Sequence, residues 1–348
     1  MKKIFLATLV AVFGCVNQVF AQTQLATLFR DGDVKTFYGI GALRDAHSNA
    51  KHGDVITLSS GTFNSVDITK AITLRGAGMQ YDSIAKTEPT ILTGDFKLAI
   101  QNDSTLQGYS LTMEGIYFQG EISLKNVIYN AQFVKCRIGW LGNRTGDYLN
   151  TFVNARFINC YILGLYIGPK GSVAAINSFI YNYFQKCHSS DLASTSSEFQ
   201  NCVISVADYP AYSTFRNCIL KCYQSKSTIP YTSTAYGCIA YNSFENSNPF
   251  SNNLSNTYIS EFGDAAEALI FKTWDGRWYD NSIEGNLELT DAAKTKYLGA
   301  DGTQVGIYGG SIPFTARPSN PQITKLNVAS KSTADGKLSV DIEVKAAE

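Results

Sequence analysis

Two polar segments of the chain contain residues that could move protons or bind an anion. One holds Arg144 and Asp147, the other holds His188 and Asp191, and Lys170 lies in a predicted turn between them. A histidine or carboxylate can act as a base, and an arginine can neutralise a carboxylate on a substrate. We take Arg144, Asp147, His188 and Asp191 as candidate catalytic residues. The alternative is that both segments are solvated loops with no part in chemistry.

The cysteines offer a second kind of chemistry. Seven follow residue 21, and none forms the Cys-x-x-Cys pair that is typical of zinc sites. Most recur in one repeated motif, where we expect small buried residues. Cys187 and Cys222 lie outside that motif and are the candidates for a disulfide. The sequence predicts no metal site and no bound cofactor.

Aromatic residues could bind a ligand by stacking. Trp140 lies among polar residues, and so do five tyrosines. Sugar rings stack on such side chains, but packing in a core explains aromatic residues equally well, so both interpretations stay open. The five tyrosines are Tyr209, Tyr212, Tyr223, Tyr231 and Tyr241.

A repeated motif must position these residues. Phe-x-Asn-Cys-x-Ile, or Leu in the last place, begins at Phe157, Phe199 and Phe215, and weaker copies occur, the earliest with Gly115 in the cysteine place. Successive copies are 16 to 24 residues apart. This period is too short for a propeller blade or a helical repeat. It is typical of one coil of a parallel β-helix, whose strands stack about 4.8 Å apart.

The motif indicates how each coil turns. On a flat strand, Phe and Cys three positions apart would face opposite sides. An Asn in the left-handed conformation bends the chain between them, so both side chains point inward. We therefore expect ladders of Phe, Cys and Asn along the axis, with the Asn amides pairing from coil to coil.

Two helices and a final strand are predicted outside the repeats. Residues 40–50 carry Leu43, Ala46 and Ala50 on one face, and Gly53 is expected to end that helix. A second helix is predicted at residues 264–274. Its predicted cap is Asp264, and the alternating residues 338–344 predict a half-exposed strand.

The predicted organisation has four parts. They are a signal peptide (residues 1–21), an N-terminal lead-in (22–39), a parallel β-helix with its capping helix (40–310), and a linker with a C-terminal β tail (311–348).

The first 21 residues resemble an export signal. Two lysines precede a short apolar run, and cleavage is predicted between Ala21 and Gln22. In a looser alternative, Cys15 is lipidated and anchors the chain. No stretch is long enough for a transmembrane helix. We expect an exported protein that is periplasmic, secreted or on the outer surface.

Composition excludes some classes of function. The 29 Lys and Arg residues balance 29 Asp and Glu residues, so the formal net charge is zero. Without a basic stripe, a nucleic-acid partner is not expected. An apolar content of 45 % excludes an intrinsically disordered chain.

Several short segments carry a family resemblance. They are Ala-Leu-Arg-Asp-Ala at 42–46, Gly-Asp-Val-Ile-Thr-Leu at 53–58, Gly-Thr-Phe at 61–63, Ile-Thr-Leu-Arg-Gly-Ala-Gly at 72–78, and residues 298–310. Together with the repeats, they resemble secreted bacterial proteins of the pectate-lyase-like superfold. The resemblance implies an all-β, right-handed parallel β-helix, closed at its start by a capping helix.

The resemblance says little about activity, because this superfold hosts many functions. Its hydrolases carry Asn-Thr-Asp, Asp-Asp and Gly-His-Gly segments, and none of these occurs here. Its lyases use a base, often beside calcium, and their strong motifs are also absent. We expect a non-catalytic glycan-binding or surface-binding module. The alternatives are a polysaccharide lyase or other carbohydrate-active enzyme, with calcium then a possible cofactor, and a structural protein of the cell envelope.

Overall fold

A computed structural model shows how the repeated motif winds into a parallel β-solenoid of about 8 turns. The structure describes residues 24–106, 108–143, 149–185, 196–206, 212–222, 233–242, 248–250, 255–273, 283, 286–318, 322–328, 331–333 and 335–345.

The strands are short and lie in a regular order along the chain. The first thirteen are β1 (Leu25–Arg30), β2 (Asp33–Tyr38), β3 (Val55–Leu58), β4 (Gly61–Asn64), β5 (Thr73–Arg75), β6 (Thr90–Thr93), β7 (Phe96–Leu98), β8 (Thr112–Glu114), β9 (Tyr117–Leu124), β10 (Ile128–Tyr129), β11 (Gln132–Val134), β12 (Arg137–Leu141) and β13 (Phe152–Val153). The others are β14 (Ala155–Ile158), β15 (Tyr161–Ile167), β16 (Val173–Ile176), β17 (Phe179–Gln185), β18 (Ser197–Gln200), β19 (Val203–Val206), β20 (Ser213–Arg216), β21 (Ile219–Cys222), β22 (Thr234–Tyr236), β23 (Ile239–Asn242), β24 (Thr257–Tyr258), β25 (Gln322–Val328) and β26 (Val340–Lys345).

Two long sheets form the wall of the solenoid. Sheet A runs in the order β2-β1-β3-β5-β8-β11-β14-β16-β18-β20-β22. Sheet B runs in the order β24-β23-β21-β19-β17-β15-β12-β9-β6-β4, with β7 also paired to β9. A third side holds the parallel pair β10 and β13. Each coil therefore contributes one strand to each long sheet.

A helix and a hairpin close the first coil. Helix α1 (Ala42–Asn49) buries Leu43 and Ala46, which confirms the predicted apolar face. The helix ends before Ala50, which is extended, so the prediction that Gly53 ends it is wrong. The lead-in contains β1 and β2, which pair antiparallel and extend sheet A. This hairpin was not predicted.

The repeated motif has the predicted geometry. The Asn residues at positions 159, 177, 201 and 217 all have φ between 46° and 53°. In the earliest copy, β8 aligns with β11 so that Met113 pairs with Phe133. Gly115, with φ 64°, therefore takes the Asn place, and Ile116 takes the cysteine place. The assignment of Gly115 to the cysteine place was wrong by one residue.

Phenylalanines stack inside the solenoid. The ring centroids of Phe133 and Phe157 are 5.1 Å apart, as are those of Phe199 and Phe215, and the rings of each pair are nearly parallel. Ala175 interrupts this ladder between the two pairs. Larger side chains from elsewhere in the coil pack edge-on there, including Tyr183 against Phe199. The interior is thus filled along its length by apolar contacts.

The cysteine ladder also satisfies backbone groups. Cys136, Cys160, Cys202 and Cys218 are buried thiols whose Sγ atoms lie 3.2–3.4 Å from a carbonyl oxygen of the preceding coil. Ser178 takes the same place in its coil and donates to the Phe157 carbonyl at 3.4 Å. A small donor at this corner therefore adds a side-chain hydrogen bond between neighbouring coils.

The side-chain amides of Asn177 and Asn217 do not pair from coil to coil as predicted. We define the C-terminal strap as residues 298–310, which lie across this corner. Asn177 Nδ2 donates to the carbonyls of Ile307 and Gly309 at 2.8 and 2.7 Å. Asn217 Oδ1 accepts from Ala300 N at 2.8 Å. The prediction of coil-to-coil amide pairing is wrong for these two residues, because the strap's backbone supplies closer partners.

The chain beyond the coils forms two short helices and a hairpin. Helix α2 (Asp264–Ile270) has Gly263 at its N-cap, so Asp264 is its first residue rather than the predicted cap. Helix α3 (Asp291–Lys296) was not predicted, and its cap, Thr290, accepts from Ala293 N. The predicted final strand is β26, which pairs antiparallel with β25. Residues 338–344 are exposed on both faces, because β25 and β26 form a separate two-stranded sheet, so the prediction that this strand is half-exposed is wrong.

His47 in the capping helix predicts a pH dependence of stability. Burial, with a smaller contribution from Lys70, lowers the pKa of His47 from 6.5 to about 4. Between these values the unfolded chain binds a proton that the folded chain excludes, so stability falls as the pH drops. We expect a loss of up to about 3 kcal/mol between pH 7 and 4, measured by denaturant unfolding.

Two variants isolate this contribution. His47→Gln should remove that part of the pH dependence, whereas His52→Gln, in the same cap, should keep it. Both imidazoles accept a backbone hydrogen bond, His47 Nε2 from Thr69 N at 3.3 Å and His52 Nδ1 from Ala71 N at 3.0 Å, so His52 is a matched control. An unchanged slope in His47→Gln would contradict the prediction.

Candidate functional site

The four candidate catalytic residues follow strands of sheet B. Arg144 and Asp147 come after β12, and His188 and Asp191 come after β17. All four lie outside the described residues, as do Cys15, Ala21 and Gln22. In sheet B only β15 separates β12 from β17. Since parallel strands end at the same edge, the chain leaves sheet B toward both segments at neighbouring points of one edge.

A lysine lies at this same edge. The turn after β15 exposes Lys170, as the sequence predicted. Gly168 N donates to Thr151 Oγ1 at 2.9 Å, and Gly171 N donates to the Gly168 carbonyl at 2.9 Å. These bonds hold the turn, so the position of the lysine backbone is fixed.

Three aromatic side chains lie side by side on the outer face of sheet B, next to this edge. We call Trp140, Tyr166 and Phe184 the aromatic row. The ring centroids of Trp140 and Tyr166 are 5.8 Å apart, and those of Tyr166 and Phe184 are 4.8 Å apart with an interplanar angle of 3°. All three are partly exposed. The row crosses three successive coils, with Tyr166 and Phe184 paired in register and Trp140 paired with Gly164, two residues before Tyr166.

Two glycines make room for the row. A Cβ atom at Gly164 would come within 2.0 Å of Trp140 Cε3, so the indole ring lies over this residue. A Cβ atom at Gly142, whose φ is 97°, would come within 2.1 Å of the Tyr166 carbonyl. Larger residues at these positions would push the aromatic rings or strands apart.

Carboxylates lie at the N-terminal end of the row. Glu121 pairs in register with Trp140, and Glu121 N donates to Asp95 Oδ1 at 2.7 Å. Asp95 is exposed and Glu121 is partly exposed. The surface at this end of the row therefore has carboxylate groups beside an apolar strip.

Toward the C-terminal coils, other parts of the chain cover the outer face of sheet B. Tyr161, Phe179, Val203 and Ile219 form a second core with residues of the C-terminal strap and of α2 and α3. The centroids of Tyr161 and Phe179 are 4.7 Å apart. The aromatic row lies beyond this cover, on the same strands as Tyr161 and Phe179.

A buried ion pair holds α2 against sheet B. Lys221 Nζ donates to Glu267 Oε1, and Tyr241 OH donates to the same oxygen at 3.3 Å. The side chain of Glu267 is only 3 % exposed and that of Lys221 is 14 % exposed. These contacts hold α2 in place over the covered part of sheet B.

The described cysteines are unsuited to nucleophilic chemistry. Burial is the main reason why the pKa values of Cys136, Cys218 and Cys238 lie well above the ordinary value. Cys222 is also buried, and Cys187 lies outside the described residues. Within the described ranges, no group of three or more His, Cys, Asp or Glu side chains could hold a metal ion.

The other aromatic candidates have different outcomes. Tyr241 is fully buried, so the core interpretation holds for it, whereas Tyr212 is exposed. Tyr209, Tyr223 and Tyr231 lie outside the described residues.

Sequence reasoning missed Tyr166 and Phe184. A usable signal existed, because each lies four residues after the isoleucine that ends its motif copy, Ile162 or Ile180.

No helix in the described part of the chain is long and apolar enough to cross a membrane. Comparisons of the chain with protein-family models, with curated proteins and with solved structures found no match.

Proposed function

We propose that this protein is an exported β-helix module that binds a polysaccharide chain along the aromatic row. The observation that carries the proposal is the row itself, three partly exposed rings on adjacent coils. Aromatic rings pack against the apolar C–H faces of sugars, and exposed apolar strips with polar rims are typical of binding surfaces. The N-terminal sequence pattern and the resemblance to secreted pectate-lyase-like proteins support export.

The shape of the row favours a linear ligand. Parallel strands repeat about every 4.8 Å along the axis, so the rings offer contacts at regular intervals. Glu121, which pairs in register with Trp140, and the neighbouring Asp95 can accept hydrogen bonds from hydroxyl groups. An extended glycan would use both its apolar faces and its hydroxyl groups on such a surface.

A polysaccharide lyase is the second candidate function. It is favoured by one observation, that the chain leaves sheet B toward Arg144, Asp147, His188 and Asp191 at the edge beside the row. A substrate held on the row would then lie near the ends of β12 and β17, and the sequence that follows these strands contains a base and an arginine. Calcium would be the expected cofactor in that case.

Removing one ring should weaken glycan binding. We expect Trp140→Ala to reduce affinity for the preferred polysaccharide about tenfold or more, because a stacked ring contributes on the order of 1 kcal/mol beyond the area it buries. Affinity gel electrophoresis against a panel of neutral and acidic polysaccharides measures this. Gly164→Ala should act in the same direction, since the new methyl group displaces the indole ring.

Two controls are needed to interpret the result. Tyr38→Ala removes a 70 % exposed ring from β2, distant in sequence from the row, and should leave binding unchanged. Formation of unsaturated product, measured by its absorbance with and without calcium, would show that the protein is a lyase rather than a non-catalytic module. Unretarded migration through every polysaccharide of the panel would contradict both.

A further inference from the structure

Strand β2 forms an open edge of sheet A. It stands first in the strand order of that sheet, and among the described residues its only strand partner is β1. Six consecutive residue pairs join β1 and β2 without a register shift, so this edge carries no bulge. Every residue of β2 except Phe37 is exposed. An exposed edge of this length is a template on which another strand can pair.

The hairpin geometry shows which backbone groups of β2 face the open edge. A two-residue turn with φ of 50° and 89° joins the strands, so Asp33, next to the turn, exchanges hydrogen bonds with Arg30. Every second residue of an antiparallel pair bonds across in this way, and Gly39 N keeps the alternation by donating to the Gln24 carbonyl at 2.8 Å. The N–H and C=O groups of residues 34, 36 and 38 therefore point away from β1.

β2 lacks the features with which proteins commonly block an open edge, which are proline, a bulge and solvated lysines. It contains no proline, and its one lysine is turned back onto its own chain. Lys35 Nζ donates to Asn49 Oδ1 at 2.9 Å and lies 5.2 Å from the ring centroid of Phe37. The other charged residue, Asp33, lies at the end of the strand, beside the turn. The middle of the edge is therefore open to a second strand.

We propose that β2 pairs antiparallel with β2 of a second copy of this chain, with the two Thr36 residues opposite each other on a two-fold axis. Residues 34, 36 and 38 of each copy then bond to residues 38, 36 and 34 of the other, so every outward backbone group of the strand is paired. Val34 and Tyr38, which are 59 % and 70 % exposed, lie opposite each other in this register. A β-branched residue opposite an aromatic one is a favourable cross-strand pair.

The charges of β2 favour this register. It places Lys35 opposite Phe37 and Asp33 opposite Gly39, so like charges are not opposed. The neighbouring symmetric register, centred on Lys35, would oppose two lysines and is disfavoured. A contact that uses the same patch on both copies closes at two, so we infer a dimer rather than a filament. This inference goes beyond the proposed function, because it concerns sheet A and requires no glycan.

Sedimentation-velocity ultracentrifugation of the purified protein tests the proposal. We expect a dimer at about 100 μM that dissociates on dilution, since a small contact gives modest affinity. Thr36→Pro removes an outward N–H and should weaken association about tenfold or more. Thr36→Val keeps that N–H and the β-branched shape, and should stay within about twofold of the unmodified protein. Neither change removes a bond between β1 and β2, and circular dichroism should show that both variants are folded.

Two charge variants test the register itself. Thr36→Lys and Thr36→Glu each place like charges on the two-fold axis, so each alone should be a monomer at about 100 μM. An equal mixture of the two should form a heterodimer, because opposite charges then face each other. The proposal is overturned if the unmodified protein is a monomer at about 100 μM, if it grows beyond a dimer, or if association survives Thr36→Pro. A mixture of the charge variants that stays monomeric would also overturn it.

Discussion

Replacing Phe157 with alanine should lower the free energy of unfolding by about 3–5 kcal/mol. Phe157 is fully buried, lies 5.1 Å from Phe133 in a stacked arrangement, and meets Phe152 edge-on at 6.3 Å. Truncation removes these contacts and leaves a cavity, because the flanking coils are fixed by backbone hydrogen bonds and cannot collapse into it. Urea unfolding followed by circular dichroism measures the loss.

A matched truncation on the surface is the control. Phe262 is 50 % exposed, so Phe262→Ala should change stability by at most about 0.5 kcal/mol. Equal losses in the two variants would mean that Phe157 does not pack inside the solenoid. The stacked ladder would then be wrong as a description of the core.

Glu267→Gln should destabilise the protein by about 3 kcal/mol, because it leaves the Lys221 ammonium with a neutral partner in a buried position. The pair is largely buried, and Tyr241 bonds to the same carboxylate oxygen. Removing one partner of a buried ion pair is costly, whereas replacing both by apolar residues often costs little. The double variant Lys221→Met/Glu267→Leu should therefore be more stable than Glu267→Gln alone.

An exposed ion pair provides the comparison. Glu288 Oε1 accepts from Lys294 at 2.7 Å and from Lys272 at 3.1 Å, and the three side chains are 33–40 % exposed. Glu288→Gln should lose less than about 1 kcal/mol, since water screens an exposed pair. A double variant at Lys221 and Glu267 that is as unstable as Glu267→Gln would contradict the stabilising role assigned to the Glu267 carboxylate.

The repeat made most of the fold predictable. Each Phe-x-Asn-Cys-x-Ile copy fixes a left-handed corner and two inward side chains, so the parallel solenoid follows from local chemistry. The register of the earliest copy was misjudged because glycine fits either place by size. Only strand pairing with Phe133 shows that Gly115 replaces asparagine.

The hydrogen-bond partners of the corner asparagines were not predictable from the motif. Asn177 and Asn217 bond to the strap more than 80 residues later in the chain. A repeat describes contacts between neighbouring coils, whereas the strap is outside the repeat and docks through its backbone. The hairpin β1–β2 was missed for a similar reason, since it precedes the first copy.

The candidate site was only partly predictable. Trp140 was singled out from its polar surroundings, but Tyr166 and Phe184 were not, because their significance depends on strand register. Arg144, Asp147, His188 and Asp191 remain predictions. The structure adds that the strands before them, β12 and β17, end at the same edge of sheet B, beside the row.

The most direct test of the central claim is a crystal structure of the protein with an oligosaccharide of the polysaccharide that retards it. We predict sugar units in van der Waals contact with Trp140 and Tyr166, in a chain that crosses the successive coils of sheet B along the row. A well-ordered oligosaccharide bound elsewhere, with the aromatic row left bare, would contradict the claim.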